Sequence, residues 1–140
     1  MKKWFYVLLA SFSFLYFGCD NDSGGSAGTD PFGGGGGGGG TGGVTFTVSL
    51  EQGNQGGVYF NFKPNQNVTA TNMTLSLPAQ NFTDNITNPN PNEVYTNAQG
   101  FSVGEYTGVA TGQQWVFNIQ GKIGSSTGTP YNVTINFTVP

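Results

Sequence analysis

Tyr131-Asn132-Val133-Thr134-Ile135-Asn136-Phe137-Thr138-Val139 alternates apolar and polar residues without a break. Such alternation places every second side chain on one face, as in a β-strand with one buried side. The same pattern recurs upstream. Val44, Phe46, Val48 and Leu50 alternate with Thr45, Thr47 and Ser49. Val58, Phe60 and Phe62 follow the same rule, as do Met73, Leu75 and Leu77, then Trp115, Phe117 and Ile119. Between Val68–Ala70 and Met73–Leu77 the phase slips by one, which predicts a bulge at Thr71-Asn72. No segment carries a helical period.

Turn chemistry separates these runs. Gln52-Gly53-Asn54-Gln55-Gly56-Gly57 links the first two, Lys63 to Asn67 the next. Asn88-Pro89-Asn90-Pro91-Asn92 can be neither strand nor helix. Residues 121–130 form a long connection before the last run. Weaker strands are expected near Asn81–Ile86, Glu93–Tyr95 and Gly104–Ala110. About seven or eight strands over residues 44–140 predict an all-β chain, an antiparallel immunoglobulin-like sandwich. Gly104-Glu105-Tyr106-Thr107-Gly108 is similar to the tyrosine-corner segment of immunoglobulin-like domains. The domain as a whole resembles bacterial immunoglobulin-like and fibronectin-like modules.

Before Val44 the composition is different. Met1-Lys2-Lys3 is positive, Trp4 to Phe17 is an apolar run, and Gly18-Cys19 closes it. Charged start, apolar middle and small residue form a secretory signal layout. As a helix the run would span about 21 Å, short of the roughly 30 Å of a bilayer's hydrocarbon. Leu15-Tyr16-Phe17-Gly18-Cys19 resembles the lipobox of bacterial lipoproteins, with Leu15 and the bulky Phe17 off the usual pattern. The resemblance implies a signal peptide over residues 1–18, a lipid on Cys19 and attachment to the membrane through it. The alternative is an ordinary signal cut near Gly18, which would leave Cys19 as a stray thiol. Residues 19–43 then read as a lipidated Cys followed by a flexible Gly-rich linker. Asp20 to Gly43 holds 13 glycines and only Phe32 to bury, so no fold is expected there. Asp20, Asp22 and Asp30 resemble the acidic surface-export signals that follow the lipidated Cys in some bacterial groups. The expected location is the bacterial cell envelope, at the outer membrane and exposed at the surface.

Charge and composition narrow the function. The chain has no His, no Arg, one Cys and only four Lys. Nucleic-acid binding needs a basic stripe, whereas residues 44–140 hold two lysines against four acids. Asp84 and Glu93 flank the Pro-Asn loop as a pair that two-carboxylate chemistry could in principle use. Scattered acids in a small sandwich are more often solvated loop residues. Asp84, Asn85, Asn88, Asn90, Asn92 and Glu93 offer hard oxygens for calcium, but lack EF-hand spacing and are equally good turn formers. Six Asn-x-Ser/Thr sequons within residues 44–140 follow from Asn and Thr alternating with apolar residues. Thus no catalytic residue, cofactor or resident metal is expected. The expectation is a non-catalytic, lipid-anchored envelope protein presenting a binding or structural module to a protein or glycan. The alternative is a carbohydrate-binding module that stacks sugars on exposed aromatics. Tyr59 is out of phase with Val58 and Phe60, and Tyr95 and Phe101 lie in loop-like context. These three form the expected ligand surface, while Trp115, in phase with Phe117, is expected in the core.

Cys19→Ser should move the protein from the detergent phase to the aqueous phase on phase partitioning. Identical partitioning of the two proteins would rule out acylation at Cys19.

Overall fold

The computed structural model describes residues 43–140; the expected signal peptide, Cys19 and the expected linker up to residue 42 fall outside the described residues. Eight strands follow one another: β1 (Phe46–Gln52), β2 (Val58–Pro64), β3 (Val68–Leu77), β4 (Phe82–Thr87), β5 (Val94–Tyr95), β6 (Phe101–Ser102), β7 (Gln114–Ile123) and β8 (Pro130–Thr138). A single 3₁₀ turn, Pro78–Gln80, connects β3 to β4, and Asn81 closes it at φ 51°. The strands form two antiparallel sheets, as the alternation predicts. One has the order β1-β2-β6; the other has the order β4-β3-β7-β8, with β5 also paired to β3. The alternating apolar residues of both sheets face one another, which makes the domain an all-β sandwich.

The core is aromatic where the two sheets meet. Phe60 and Phe62 from β2, with Phe117 from β7, are fully buried. Their rings are 5.0 Å apart for both Phe60–Phe117 and Phe62–Phe117, and Phe60 also lies 4.9 Å from Trp115. Leu75, Ile119, Val133 and Ile135 complete this layer without exposed surface. Trp115 is buried as expected, and its indole N–H donates to Gln113 Oε1 at 3.1 Å.

The phase slip in β3 is a real break in the ladder. The pairing with β7 shifts between Ala70 and Asn72, leaving Thr71 as the extra residue. The shift keeps Val68 and Ala70 on the buried face together with Met73 and Leu75. It also divides the other edge of β3. β5 pairs Val68 and Thr69, whereas β4 pairs Asn72 to Leu77. Asn88 fills the gap between them: its N–H donates to the Thr71 carbonyl at 2.9 Å, and Nδ2 donates to the Ala70 carbonyl at 2.8 Å. Beside the bulge, Gly121 lets β7 and β8 close on β3. A Cβ there would collide with the Thr69 carbonyl and the Tyr131 hydroxyl, which are hydrogen-bonded at 2.9 Å.

Two local expectations need correction. No continuous strand runs from Gly104 to Ala110; the strand lies earlier, at Phe101–Ser102, and only Tyr106 bridges back to Val58. Gly104 and Gly108, the latter at φ 76°, interrupt the ladder on both sides of that bridge. Tyr106 also does not make the backbone bond of a tyrosine corner. Its hydroxyl donates to Asp84 Oδ2 at 3.0 Å, because the β3–β4 register turns Asp84 inward, opposite the buried Leu75. Gly108, two residues further on, is exposed.

Phe60→Ala or Phe117→Ala should lower stability by about 3–5 kcal/mol in chemical denaturation. A loss below about 1 kcal/mol would contradict the central place of these rings.

Candidate functional site

The β1–β2 hairpin sets the geometry of the outer face of the three-stranded sheet. Its register pairs Leu50 with Phe60 and Glu51 with Tyr59. Phe60 takes the core, so Tyr59 and Glu51 share the outer face. Asn61 follows on the same side: Nδ2 donates to Glu51 Oε2 at 3.1 Å, and Ser102 hydrogen-bonds to Asn61 Oδ1. The fifth member comes from far along the chain. Glu105 reaches into the turn between β1 and β2, where Oε1 accepts the N–H groups of Gln55 at 2.8 Å and Gly57 at 2.7 Å. Its Oε2 accepts the Tyr59 hydroxyl at 3.4 Å. Gly53 and Gly57 create the room, since a Cβ at either position would strike the Glu105 side chain.

This arrangement shifts both titrating groups. Desolvation pushes the Glu105 carboxyl up, but the N–H groups of Gly57 and Gln55, the Tyr59 hydroxyl and the Asn54 backbone outweigh it. The net effect holds Glu105 below the ordinary glutamate value. Tyr59 moves the other way, through desolvation first, then the nearby Glu105 and Glu51 carboxylates. The result is a partly buried tyrosine on the outer face, bordered by two carboxylates, an amide and a hydroxyl. A sugar ring could stack on such a phenol while its hydroxyls donate to the carboxylates.

Tyr59 stands apart from the other two expected ligand residues. Tyr95 and Phe101 pack on each other, with ring centroids 4.6 Å apart, and Phe101 stacks on the buried Phe62 at 5.5 Å. The Tyr95 hydroxyl receives Asn88 Nδ2 at 3.1 Å and donates to Glu93 Oε2 at 3.3 Å. Burial, followed by the nearby Glu93, raises its pKa, although the Asn88 bond opposes the shift. These two rings close one end of the sandwich, so the three aromatics do not make one platform. Phe82 is a large aromatic that remains 37% exposed, but it packs edge-on to Trp115 at 5.9 Å.

Asp84 and Glu93, the acids that flank the Pro-Asn loop, are held by different tyrosines. Asp84 accepts from Tyr106, whose pKa is raised by burial and then by that carboxylate. Glu93 accepts from Tyr95. Among the described residues, no three His, Cys, Asp or Glu side chains come together as a metal site would require. The Lys122 ammonium donates to the Ser126 carbonyl at 2.6 Å and so closes the β7–β8 loop.

The second outer face, on the five-stranded sheet, consists of registered polar rows. Asn85, Thr74, Asn118 and Thr134 form one row, and Thr87, Asn72, Gln120 and Asn132 the next. Thr74 donates to Asn85 at 2.8 Å, while Asn118 Nδ2 donates to Asn132 at 2.7 Å and to Thr134 at 3.1 Å. No protein-family model, curated protein or solved structure matches the chain.

Sequence reasoning found Tyr59 but missed Glu105. The Gly53–Gly57 spacing signals a tight turn, but nothing local reveals that a carboxylate from residue 105 fills it. Because the folded Glu105 pKa lies below the unfolded one, its stabilisation is present above about pH 4.5 and is lost as the pH falls through the folded value. Glu105→Gln should therefore flatten the acid side of a melting-temperature profile between pH 7 and pH 3. A profile identical to that of the unaltered protein would show that the carboxylate contributes nothing through its charge.

Proposed function

We propose that this chain is a non-catalytic, lipid-anchored cell-envelope protein whose immunoglobulin-like sandwich presents a binding surface, with the Tyr59 face taking neutral glycans. The strand order supports the immunoglobulin-like assignment. If β1, β2, β3, β6, β7 and β8 are read as strands A, B, C, E, F and G, the sheets become A-B-E and C-F-G. That partition is the immunoglobulin one, with the fourth strand moved beside the third. The lipobox resemblance around Cys19 supports the anchor, and the likeness of Asp20, Asp22 and Asp30 to surface-export signals supports a position at the outer membrane, exposed at the surface. The Gly-rich stretch would then carry the sandwich about 25–30 Å from the bilayer as a flexible coil.

One observation carries the binding reading. Tyr59 keeps its ring on an outer face and is flanked by Glu51, Asn61 and Glu105, all held by hydrogen bonds. Fixed polar groups around a rigid aromatic lose little entropy when they engage a ligand. Carboxylates and amides also suit the dense hydroxyls of a sugar. A catalytic reading would need two carboxylates around one cleft. Here Asp84 and Glu93 accept hydrogen bonds from two different tyrosines, and the two carboxylates beside Tyr59 are themselves engaged, Glu51 by the Asn61 amide and Glu105 by N–H groups of the β1–β2 turn.

The test is retention on insoluble cellulose, chitin and xylan. The full chain in detergent should be retained on at least one of them, and Tyr59→Ala should abolish retention while leaving the melting temperature nearly unchanged. Equal retention of both proteins, or no retention on any of the three, would overturn the glycan reading. If Tyr59→Ala instead melted the domain, the ring would be structural.

A further inference from the structure

Among the described residues, β8 has a strand partner on one side only. It is nine residues long, against the usual five or six. Long edge strands offer a row of backbone donors and acceptors to any other strand, and proteins usually blunt them with charge, internal proline or bulges. The other edges carry such devices or are short. β4 turns the Asp84 carboxylate inward, β1 bears Glu51, and β5 and β6 have two residues each. Residues 130–140 contain no charged side chain, and their prolines stand only at the two ends. The β7–β8 register runs unbroken from Gln114↔Thr138 to Lys122↔Pro130.

That register decides which backbone groups face outward. The Val139 N–H donates to the Gln113 carbonyl at 2.9 Å, and at the other end the Ile123 N–H donates to Thr129 at 2.9 Å. Hydrogen-bonded and non-hydrogen-bonded pairs alternate along an antiparallel ladder. Tyr131, Val133, Ile135 and Phe137 therefore bond to β7. The N–H and C=O groups of Asn132, Thr134, Asn136 and Thr138 point away from it.

We propose that this edge pairs with the same edge of a second copy of the chain, antiparallel about a two-fold axis at Ile135. Such a register sets Thr134 against Asn136 and Asn132 against Thr138, so every outward group finds a partner. Like meets like without charge repulsion, because the strand is neutral and the domain carries only two lysines against four acids. The side chains agree as well. Asn and Thr meet Asn and Thr on the outer face, which extends the polar rows of the larger sheet across the junction.

Light scattering of the full chain in detergent should show a protein mass rising from one chain to two with concentration. Hydrogen exchange of residues 131–139 should slow over the same range. Thr134→Pro removes an outward N–H while sparing the β7 ladder, so it should give a single-chain mass with an unchanged circular dichroism spectrum. If that variant fails to fold, Thr134→Lys with Asn136→Lys provides the second test: it sets like charges across the axis and should also give one chain. A single-chain mass at every concentration, a two-chain mass surviving in the folded variants, or concentration-independent exchange of residues 131–139 would each overturn the proposal.

Discussion

Phe60 and Phe117 meet across the two sheets with their ring centroids 5.0 Å apart, and the rest of the molecule is arranged to keep them there. Side chains alternate with a period of two, so a one-residue slip in β2 or β7 would turn these rings into water. Each neighbouring strand must match that phase. β1 does so through Leu50 opposite Phe60, and β8 through Ile135 opposite Phe117. β3 matches along its whole length only because it drops one residue from the ladder at Thr71. The bulge is thus a consequence of the aromatic contact, and Asn88 supplies the hydrogen bonds that the interrupted ladder needs.

With so few charges, cross-connections in this domain are made by hydrogen bonds between distant segments. Tyr106 reaches Asp84, Tyr131 reaches the Thr69 carbonyl, and Glu105 reaches the β1–β2 turn. Each joins elements at least 22 residues apart. Among the described residues, no buried side-chain nitrogen or oxygen lacks a partner, as expected where an unsatisfied polar group would cost more than a bond contributes. The same chemistry continues on the outside, where amides and hydroxyls bond along registered rows. Inner and outer layers differ in polarity but share a reliance on hydrogen bonds, two of the cross-connections ending on carboxylates and Glu105 being the one seated on backbone N–H groups.

Much of the fold was legible because its signal is local. The alternating runs identified both faces of the long strands, and the slip at Thr71-Asn72 located the bulge from sequence spacing alone. What escaped depended on contacts between distant residues. β6 has only two residues, too few to alternate, and it is a strand because Phe101 stacks on Phe62. The Tyr106 segment suggested a corner, but its hydroxyl partner depends on Asp84 facing inward, which follows from pairing with β3. Tyr59 was readable as out of phase; that Tyr95 and Phe101 pack on each other, away from it, was not. Glu105 belongs to the Tyr59 face only through a turn 48 residues earlier.

The bulge has an effect on the sheet's far side. Because β3 changes partners at Thr71, that flank of the larger sheet is split between β5 and β4. A neighbouring molecule approaching there meets two short, offset segments, one of them carrying an inward acid, and finds no long continuous ladder. The sheet is therefore polar in the sense of a capped polymer: among the described residues, one flank is terminated from within and the other is open. Two molecules joined at their open flanks about a two-fold axis would have only terminated flanks left. Association by this route is self-limiting and ends in a closed pair, the opposite of the head-to-tail growth from which fibres arise.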